Sequence, residues 1–434
     1  MINYNFNLMT DNIKVERFAS GLTILTDPMP AVRSATLGFF FRSGARDEPA
    51  DLHGISHFIE HTVFKGTKTR SALEIAIETD RLGGNLDAFT THEETGFAIK
   101  VIDDRVEEAF GLIADILVNP RFDITDLKSE QSVIIEEMKM IDDSPEEYLG
   151  EIFNKAFFPD HPLGKSIAGT PKTVRGFNHE ITRSYHDEVF NASNLVIAAA
   201  GNIAHERLLD LVQSAGFSRS FSTKKNKPKH DLTKPKMAAP VIVKQRPDLE
   251  QAHLVIATPL VSAVDERRYA ADVLANILGG GTSSRLWQKV REERGLAYSV
   301  GASAVTYQDC GIFSIFAATS PGQVREVVDL SIAEMRNVVQ NGVTAAELEL
   351  AKEQAVASIL LSLEDSAARA ATLAQSEMTH GRNISVEETL ARLDAVTLDE
   401  IRDIAREFFA TENVAFAALG DLKGMKIDRK RLAI

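Results

Sequence analysis

The stretch Leu52-His-Gly-Ile-Ser-His-Phe-Ile-Glu-His-Thr-Val-Phe64 predicts a short amphipathic helix that opens at Gly54. At about 100° per residue, one side of this helix carries four apolar side chains, those of Ile55, Phe58, Ile59 and Val63. His57, Glu60 and His61 fall together on the opposite side. Two histidines four residues apart can offer imidazole nitrogens to one metal ion, and Glu60 lies beside them without being obliged to act as a ligand. A solvated polar helix face is the simpler alternative.

The composition limits the classes of protein to which this chain can belong. Its 434 residues suffice for two or three domains, and 44% hydrophobic with 25% charged residues is typical of a globular protein. A net charge of −14 argues against nucleic acid and anionic membranes as partners. The single cysteine, Cys310, excludes an internal disulfide and a thiolate zinc cluster.

No targeting or membrane-spanning segment is recognisable. Residues 1–11 lack the basic segment and apolar core of a secretory signal, and they lack the arginines of a transit peptide. No apolar run approaches the ~20 residues that a membrane span needs. We therefore expect a cytoplasmic protein without a membrane partner.

The pattern of apolar residues predicts an α+β fold. Short apolar or alternating segments between turn signals predict strands at 15–19, 23–26, 35–42, 83–91 and 95–102. Helical periodicity follows at about 103–118, 125–155 and 179–190, and an apolar strand at 194–201.

The second half of the chain repeats the first. Residues 189–201 match 408–420 at an offset of 219, and 95–99 align with 310–314 at an offset of 215. We therefore expect two homologous repeats, each a mainly antiparallel sheet with helices packed on one side. The predicted boundaries are a first domain over 1–220, a polar linker over 221–236 and a second domain over 237–434. Only the first contains a histidine pair, so only the first is expected to bind metal.

A helix at 129–139 offers a third metal ligand. A catalytic zinc site takes three protein ligands and keeps one position for water. Glu130 and Glu137 are seven residues apart and share a helix face, so one of them can ligate while the other supports. By spacing alone Glu136 is nearly as good as Glu137. Solvated surface carboxylates are again the simpler alternative.

Two segments, 42–49 and 53–67, resemble the pitrilysin/insulinase zinc peptidases, whose inverted motif is H-x-x-E-H. The chain is most similar to the short bacterial members and to the β-subunit of mitochondrial processing peptidase, from about residue 15 to the C terminus. The resemblance implies one zinc ion (Zn²⁺) per chain, held by His57, His61 and Glu137. It also implies that Glu60 is the catalytic base and that Glu130 supports the ligands.

Residues 84–90 resemble the edge strand of that family, onto which an extended peptide adds as a further strand. The substrate-binding positions that this implies are Gly84, Asp87, Ala88, Phe89 and Thr90. The family usually has Asn at position 87, where this chain has Asp.

A segment of the second half, 279–298, resembles the active-site segment of the family's partner domain. Arg291 and Tyr298 match an Arg/Tyr pair that reaches the substrate, and they share one face if the segment is helical. Gly280 and Gly281 are further substrate-binding positions by the same resemblance. Without it, the glycines would be only a weak phosphate-loop candidate, since the Gly-Lys-Ser/Thr ending is missing.

Two acidic residues indicate a specificity. The helix that contains Glu137 is expected to continue to Glu151, where Glu147 and Glu151 are four apart and share a face. They fall on the positions by which the processing-peptidase β-subunit is thought to hold an arginine near the cut. Paired carboxylates can bind a guanidinium in a bidentate way that lysine cannot copy. The alternative is an exposed acidic helix end.

The resemblance implies a zinc-dependent metalloendopeptidase. Family members enclose the substrate between two halves of a clamshell, each of two repeats, so a chain with two repeats implies a homodimer. The rival hypothesis is a non-catalytic scaffold or partner subunit, but such relatives typically lack part of the zinc motif, which is intact here. A zinc hydrolase for non-peptide substrates has no supporting feature.

Overall fold

The computed structural model describes residues 12–215 and 233–434, which form two compact units. The first unit comprises Met1–Lys139, Ser166–Asp231 and Leu360–Ser385. The second comprises Met140–Lys165, Leu232–Ile359 and Val386–Ile434. Residues 1–11 and the part of the predicted linker at 221–232 lie outside the described residues. The units are discontinuous in sequence, unlike the two continuous domains that the sequence predicts, because each includes a helix from the other half of the chain.

The first unit contains a six-stranded sheet with the order β1-β2-β6-β3-β5-β4. Its strands are β1 Lys14–Arg17, β2 Thr23–Pro28, β3 Ser34–Phe41, β4 Asn85–Thr90, β5 Thr95–Ile102 and β6 Leu195–Gly201. Only β2 and β6 pair in parallel, and all other neighbours are antiparallel. β4 is therefore an edge strand.

Eight helices lie within residues 12–215, and the sequence predicts those near 55–62, 103–118, 125–155 and 179–190 but not those at 171–176 and 205–214. They are α1 Ile55–Thr62, α2 Ala72–Leu82, α3 Val106–Val118, α4 Ile124–Asp143, α5 Pro145–Phe157, α6 Pro171–Gly176, α7 His179–Val189 and α8 His205–Ser214. All except α5 lie wholly or mainly in the first unit. The core of this unit joins sheet residues such as Phe39 and Phe97 to helix residues such as Phe58 and Phe110.

The second unit contains a five-stranded sheet with the order β7-β11-β8-β10-β9. Its strands are β7 Val241–Gln245, β8 Ala252–Leu260, β9 Ala297–Thr306, β10 Gly311–Thr319 and β11 Ala415–Gly420. Its one parallel pair, β7 with β11, corresponds to β2 with β6. The remaining helices in the described part of the chain are α9 Arg268–Gly279, α10 Val324–Asn341, α11 Ala345–Ser362, α12 Ser366–His380, α13 Val386–Ala395 and α14 Leu398–Phe408. The predicted fold class of two similar sheets with helices is confirmed.

One helix in each unit comes from the other half of the sequence and covers the second face of the sheet. In the first unit, Leu373 and Ala374 of α12 pack against Phe40 and Val196. In the second unit, α5 packs its apolar side chains, including Phe153, against β8, β10 and β11. The expectation of helices on one side is therefore incomplete, since each sheet carries one more helix opposite.

The prediction of one helix over 125–155 is wrong in one respect, because the structure has two helices there. α4 ends at Asp143 and α5 begins at Pro145, after the N-cap residue Ser144. Proline has no backbone N–H to continue the ladder of α4, but it fits the first turn of a new helix. None of the helices in the described part of the chain is long and apolar enough to cross a bilayer.

Candidate metal centre

The helix α1 is fixed at its start by a distant carboxylate. Gly54 precedes it with φ +93°, and a Cβ there would lie 2.7 Å from the carbonyl oxygen of Ala168, so glycine is required. Since Gly54 has no side chain to cap the helix, the buried Glu48 carboxylate accepts hydrogen bonds from the N–H groups of Gly54 (2.6 Å) and Ser56 (2.8 Å). Sequence analysis missed Glu48, because a cap six residues upstream has no local signature.

The apolar side of α1 is buried as predicted. Ile55, Phe58, Ile59 and Val63 have no solvent-exposed area and belong to the core of the first unit. This packing fixes the rotation of the helix about its axis. His57, Glu60 and His61 consequently face away from the centre of the core, toward α4 and β4.

The structure brings His57, His61 and Glu137 together. One ligand atom from each lies within 4.8 Å of the others. Glu137 Oε2 is 3.7 Å from His57 Nε2 and 3.6 Å from His61 Nε2. Ligand atoms around a tetrahedral zinc ion are separated by about 3.3–3.5 Å, given bonds of ~2.0–2.2 Å. The neighbouring Glu136 is exposed and pairs with Lys139 at 2.6 Å, so the cluster contains Glu137 and not Glu136.

Two residues of this cluster, Glu137 and His57, are in the state that a metal requires. Glu137 Oε2 is buried, and no other described residue gives it a hydrogen bond. Burial, and secondly the charge of His61, lowers the pKa of His57 to about 4. His57 is therefore neutral at physiological pH, the form that binds metal ions. These residues fit a zinc ion.

A buried carboxylate orients His61. Glu130 accepts a hydrogen bond from His61 Nδ1 at 3.3 Å and forms an ion pair with Lys65 at 2.9 Å. With Nδ1 occupied in this way, Nε2 is left to face Glu137. Metal-binding histidines commonly have such a partner on their second nitrogen. The sequence provided Glu130 but gave no sign of Lys65.

Glu60 is linked to the edge strand. Its carboxylate accepts a hydrogen bond of 2.7 Å from the Thr90 hydroxyl, at the end of β4. Burial raises the pKa of Glu60, and the hydrogen bond from Thr90 opposes that shift. The group that is best placed to accept a proton near the metal ligands is thus held by the strand that is predicted to bind substrate.

The other predicted residues of β4 have different environments. Ala88 packs toward the α1 side of the sheet, whereas Phe89 packs against Phe40 on the opposite face, with 6.3 Å between the ring centroids. By strand alternation, Asp87 shares the face of Phe89, and it is exposed. Gly84 touches β5, where a Cβ would lie 2.1 Å from the Lys100 carbonyl oxygen. Within this set, Thr90 is the residue bonded to Glu60.

The second unit holds Arg291 and Tyr298, but not on one helix face. Arg291 lies in a π-helical turn, Trp287–Glu292, and Tyr298 lies in β9. The prediction of a shared face is therefore wrong, because Gly295 reverses the chain between them with φ +60°. The two residues still meet. The Arg291 guanidinium lies 4.4 Å from the Tyr298 ring centroid and donates a 2.9 Å hydrogen bond to the Tyr298 carbonyl oxygen.

Four further residues with predicted substrate contacts, Gly280, Gly281, Glu147 and Glu151, lie in the second unit. A Cβ on Gly280 would lie 2.7 Å from Asn276 Cα, whereas on Gly281 it would meet nothing nearer than Gln354 at 3.8 Å. Glu147 and Glu151 share a face of α5, not of the helix that carries Glu137. Neither makes a hydrogen bond or ion pair with another residue in the described ranges.

Known proteins resemble this chain over most of its length. Residues 23–171 match the model described as insulinase, peptidase family M16, and residues 176–355 match the model described as the peptidase M16 inactive domain. An uncharacterized zinc protease of Mycobacterium leprae is 36% identical over 414 residues, which cover 95% of this chain and 93% of the relative. The chain belongs to the insulinase family of peptidases.

A further relative and two solved structures are also similar to this chain. An uncharacterized zinc protease of Bacillus subtilis is 35% identical over 92% of this chain and 96% of the relative. The crystal structure of a protease from Helicobacter pylori superposes with a TM-score of 0.86, at 19% identity, over 94% of this chain and all of the other. The M16 inactive domain structure from Pseudomonas fluorescens gives 0.87, also at 19% identity, over 96% of this chain. The resemblance that the sequence indicated is confirmed.

Proposed function

We propose that this protein is a zinc-dependent metalloendopeptidase that binds one zinc ion per chain through His57, His61 and Glu137. One observation carries the proposal. Three ligand atoms of the first unit lie within 4.8 Å of one another, and the neighbouring Glu60 carboxylate is hydrogen-bonded to the edge strand β4. The names of the relatives, zinc proteases, support the same metal and reaction. Zinc, when bound, supplies a Lewis acid that polarises a peptide carbonyl and lowers the pKa of water toward ~7.

Glu60 is the proton carrier in this proposal. It is buried next to the ligands but is not one of the three, so its oxygens remain available to the reacting groups. Glu60 takes a proton from the attacking water and gives it to the leaving amine when the peptide bond breaks. The hydrogen bond from Thr90 holds the carboxylate in a fixed position for both transfers.

The substrate is an extended peptide that adds to β4 as a further strand. β4 pairs only with β5 in its sheet, so its outer backbone groups are available for pairing. Because Thr90 connects this strand to Glu60, a peptide held by β4 has its backbone next to the proton carrier.

Arg291 and Tyr298 complete the proposal in the second unit. Arg291 lies over both the Trp287 ring (4.1 Å) and the Tyr298 ring (4.4 Å), which limits its mobility. Tyr298 is 77% exposed, so its hydroxyl is accessible to a substrate. By family resemblance, this pair stabilises the negative charge that develops on the carbonyl oxygen. We further propose a homodimer, since the chain has two of the four repeats of a family clamshell.

Glu60→Gln tests the function with a change of one atom. We expect zinc content to remain near one per chain, while turnover of an unstructured peptide falls by about 10²–10⁴-fold, the usual contribution of a general base. Glu136→Gln is the matched control, since this exposed residue lies outside the cluster, and it should behave like the wild type. Peptide cleavage followed by mass spectrometry, with metal analysis of the same samples, decides the matter. Wild-type turnover in Glu60→Gln would eliminate Glu60 as the base.

A further inference from the structure

The second unit contains a counterpart of the metal-site helix. α1 joins β3 to β4, and α9 joins β8 to β9, which occupy the corresponding positions in the second sheet. The offset of 215 that relates residues 95–99 to 310–314 also aligns α1 with α9 and Gly66-Thr67 with Gly281-Thr282. It places Asp272 at the position of His57, Ala275 at that of Glu60 and Asn276 at that of His61.

A cavity of about 310 Å³ lies next to this counterpart face. It is formed by α9, α11 and α13, all within the second unit. The polar part of its wall comprises Tyr269, Asp272, Asn276, Gln354, Ser358 and Thr389. The rest of the wall is aliphatic and includes Ala355 and Ile359. The cavity thus combines several oxygen acceptors with an apolar side.

Four of its polar side chains have no partner in the described part of the fold, and three of these, Asp272, Gln354 and Ser358, are exposed to solvent. The side chains of Asp272, Asn276, Gln354 and Ser358 form no hydrogen bond or ion pair with any residue between 12–215 and 233–434. Arg268, four residues before Asp272 on α9, donates instead to the Tyr269 hydroxyl and the Asp265 carbonyl oxygen. Crowding by neighbouring protein atoms raises the pKa of Asp272 to about 6, although its side chain is exposed to solvent, and Arg268 offsets this only in part. A cationic ligand would therefore supply the counter-ion that this exposed carboxylate lacks among the described residues.

We propose that this cavity binds a primary ammonium group carried on a short aliphatic chain. The ammonium has three donors, which match the oxygens of Asp272, Asn276 and Gln354 or Ser358, and the methylenes match the aliphatic wall. A bare metal ion fits less well. One carboxylate is few for Ca²⁺, which takes six to eight oxygen ligands. The cavity volume lies instead at the lower end of the ~300–1,000 Å³ range of small-molecule pockets.

Calorimetric titration of the full-length protein with butylammonium chloride tests this site, with 1-butanol as the neutral probe of similar shape. We expect butylammonium to bind and 1-butanol to bind at least about tenfold more weakly, because a hydrogen bond to a charged group is worth that factor. Asp272→Asn should weaken butylammonium by about tenfold or more. Asp403→Asn, the same change at an exposed residue of α14 in the same unit, should leave binding within about twofold.

A second variant keeps the test valid if the Asp272→Asn protein does not fold. Ala355→Leu fills the cavity without changing charge, and it should also abolish binding while circular dichroism stays as in the wild type. Nα-acetyl-lysine N-methylamide then distinguishes the sources of the ammonium. Binding at least as tight as butylammonium assigns the site to a lysine side chain of a polypeptide, and weaker binding assigns it to a free amine. If butylammonium does not bind, or binds Asp272→Asn equally well, the proposal is overturned.

Discussion

The clefts beside α1 and α9 share one framework and differ in three positions. Both helices bury an apolar side against their own sheet: Ile55, Phe58 and Ile59 in the first unit and Ala270, Val273 and Leu274 in the second. Their polar sides differ, with His57, Glu60 and His61 in one and Asp272, Ala275 and Asn276 in the other. Of these six residues only Ala275 belongs to a hydrophobic core, so the other five can change with little cost to the apolar packing. The buried side specifies the helix, and the polar side specifies the chemistry.

The helix that faces α1 or α9 across each cleft also supplies different side chains in the two units. α4 supplies Glu137 to the first cleft, and its counterpart α11 supplies Gln354 and Ser358 to the second. The first cleft therefore has three groups that bind a transition metal, and the second has neutral oxygens around one carboxylate. Ligand chemistry therefore separates the two sites.

The largest effect is expected from removing the third metal ligand. Glu137→Gln should reduce bound zinc from about one per chain to near zero and abolish cleavage, because two histidines alone hold zinc weakly. Glu136→Gln, one residue away on the same helix, should retain both. Inductively coupled plasma analysis of dialysed protein measures the metal. Zinc that survives in Glu137→Gln but not in Glu136→Gln would exchange the roles of these two residues.

The next effect concerns the second unit. Arg291→Ala and Tyr298→Phe should each lower kcat by about 10²–10³-fold, the usual cost of losing an oxyanion donor, with zinc content unchanged. Stopped assays on one peptide, with metal analysis, measure both quantities. Unaltered kinetics in both variants would remove this pair from the reaction.

The same variants report on the homodimer. If sites are shared between chains, mixing Glu60→Gln protomers with Arg291→Ala protomers restores both residues in one site of each mixed dimer, and activity returns. If each chain is self-sufficient, the mixture stays as inactive as its components. A strictly monomeric mass together with full wild-type activity would contradict the dimer itself.

A smaller effect is expected at Thr90. Thr90→Val removes the hydrogen bond to Glu60 but keeps the shape of the side chain, so kcat should fall by about tenfold, while zinc binding is retained. Thr79→Val is a control of the same kind, because the Thr79 hydroxyl bonds only the Ile75 carbonyl oxygen of its own helix, α2. Equal kcat for Thr90→Val and wild type would show that Glu60 needs no positioning by β4.

The smallest effect is on selectivity. Glu147→Ala/Glu151→Ala should abolish a preference for Arg on the N-terminal side of the scissile bond, because the guanidinium loses its paired carboxylates. Cleavage of other sites and zinc content should change by less than about twofold. A peptide library analysed by mass spectrometry gives the profile of both proteins. A wild-type profile indifferent to Arg would leave Glu147 and Glu151 as an exposed helix surface.

Local periodicity and motif spacing predicted the parts of the fold and site that depend on nearby residues. The orientation of α1 and the shared helix face of Glu130 and Glu137 follow from regular geometry, whereas the edge position of β4 was implied by the family resemblance. The sequence could not predict the Glu48 cap, the Lys65–Glu130 pair or the Thr90–Glu60 hydrogen bond, since tertiary packing brings these partners together. Two predictions were wrong because of one residue each. Pro145 ends the helix predicted over 125–155, and Gly295 ends the helical segment between Arg291 and Tyr298, although the sequence pattern continues in both places.

The exchange of α5 and α12 has a consequence for biosynthesis. On the ribosome, the first sheet is complete once β6 has emerged, but α12, which covers its second face, follows roughly 160 residues later. At ~5–20 residues per second, that apolar face is uncovered for about 8–30 s. Nascent chains in this interval present Phe40 and Val196 to the cell, so the first unit needs the rest of the chain, or a chaperone, before it is protected from aggregation.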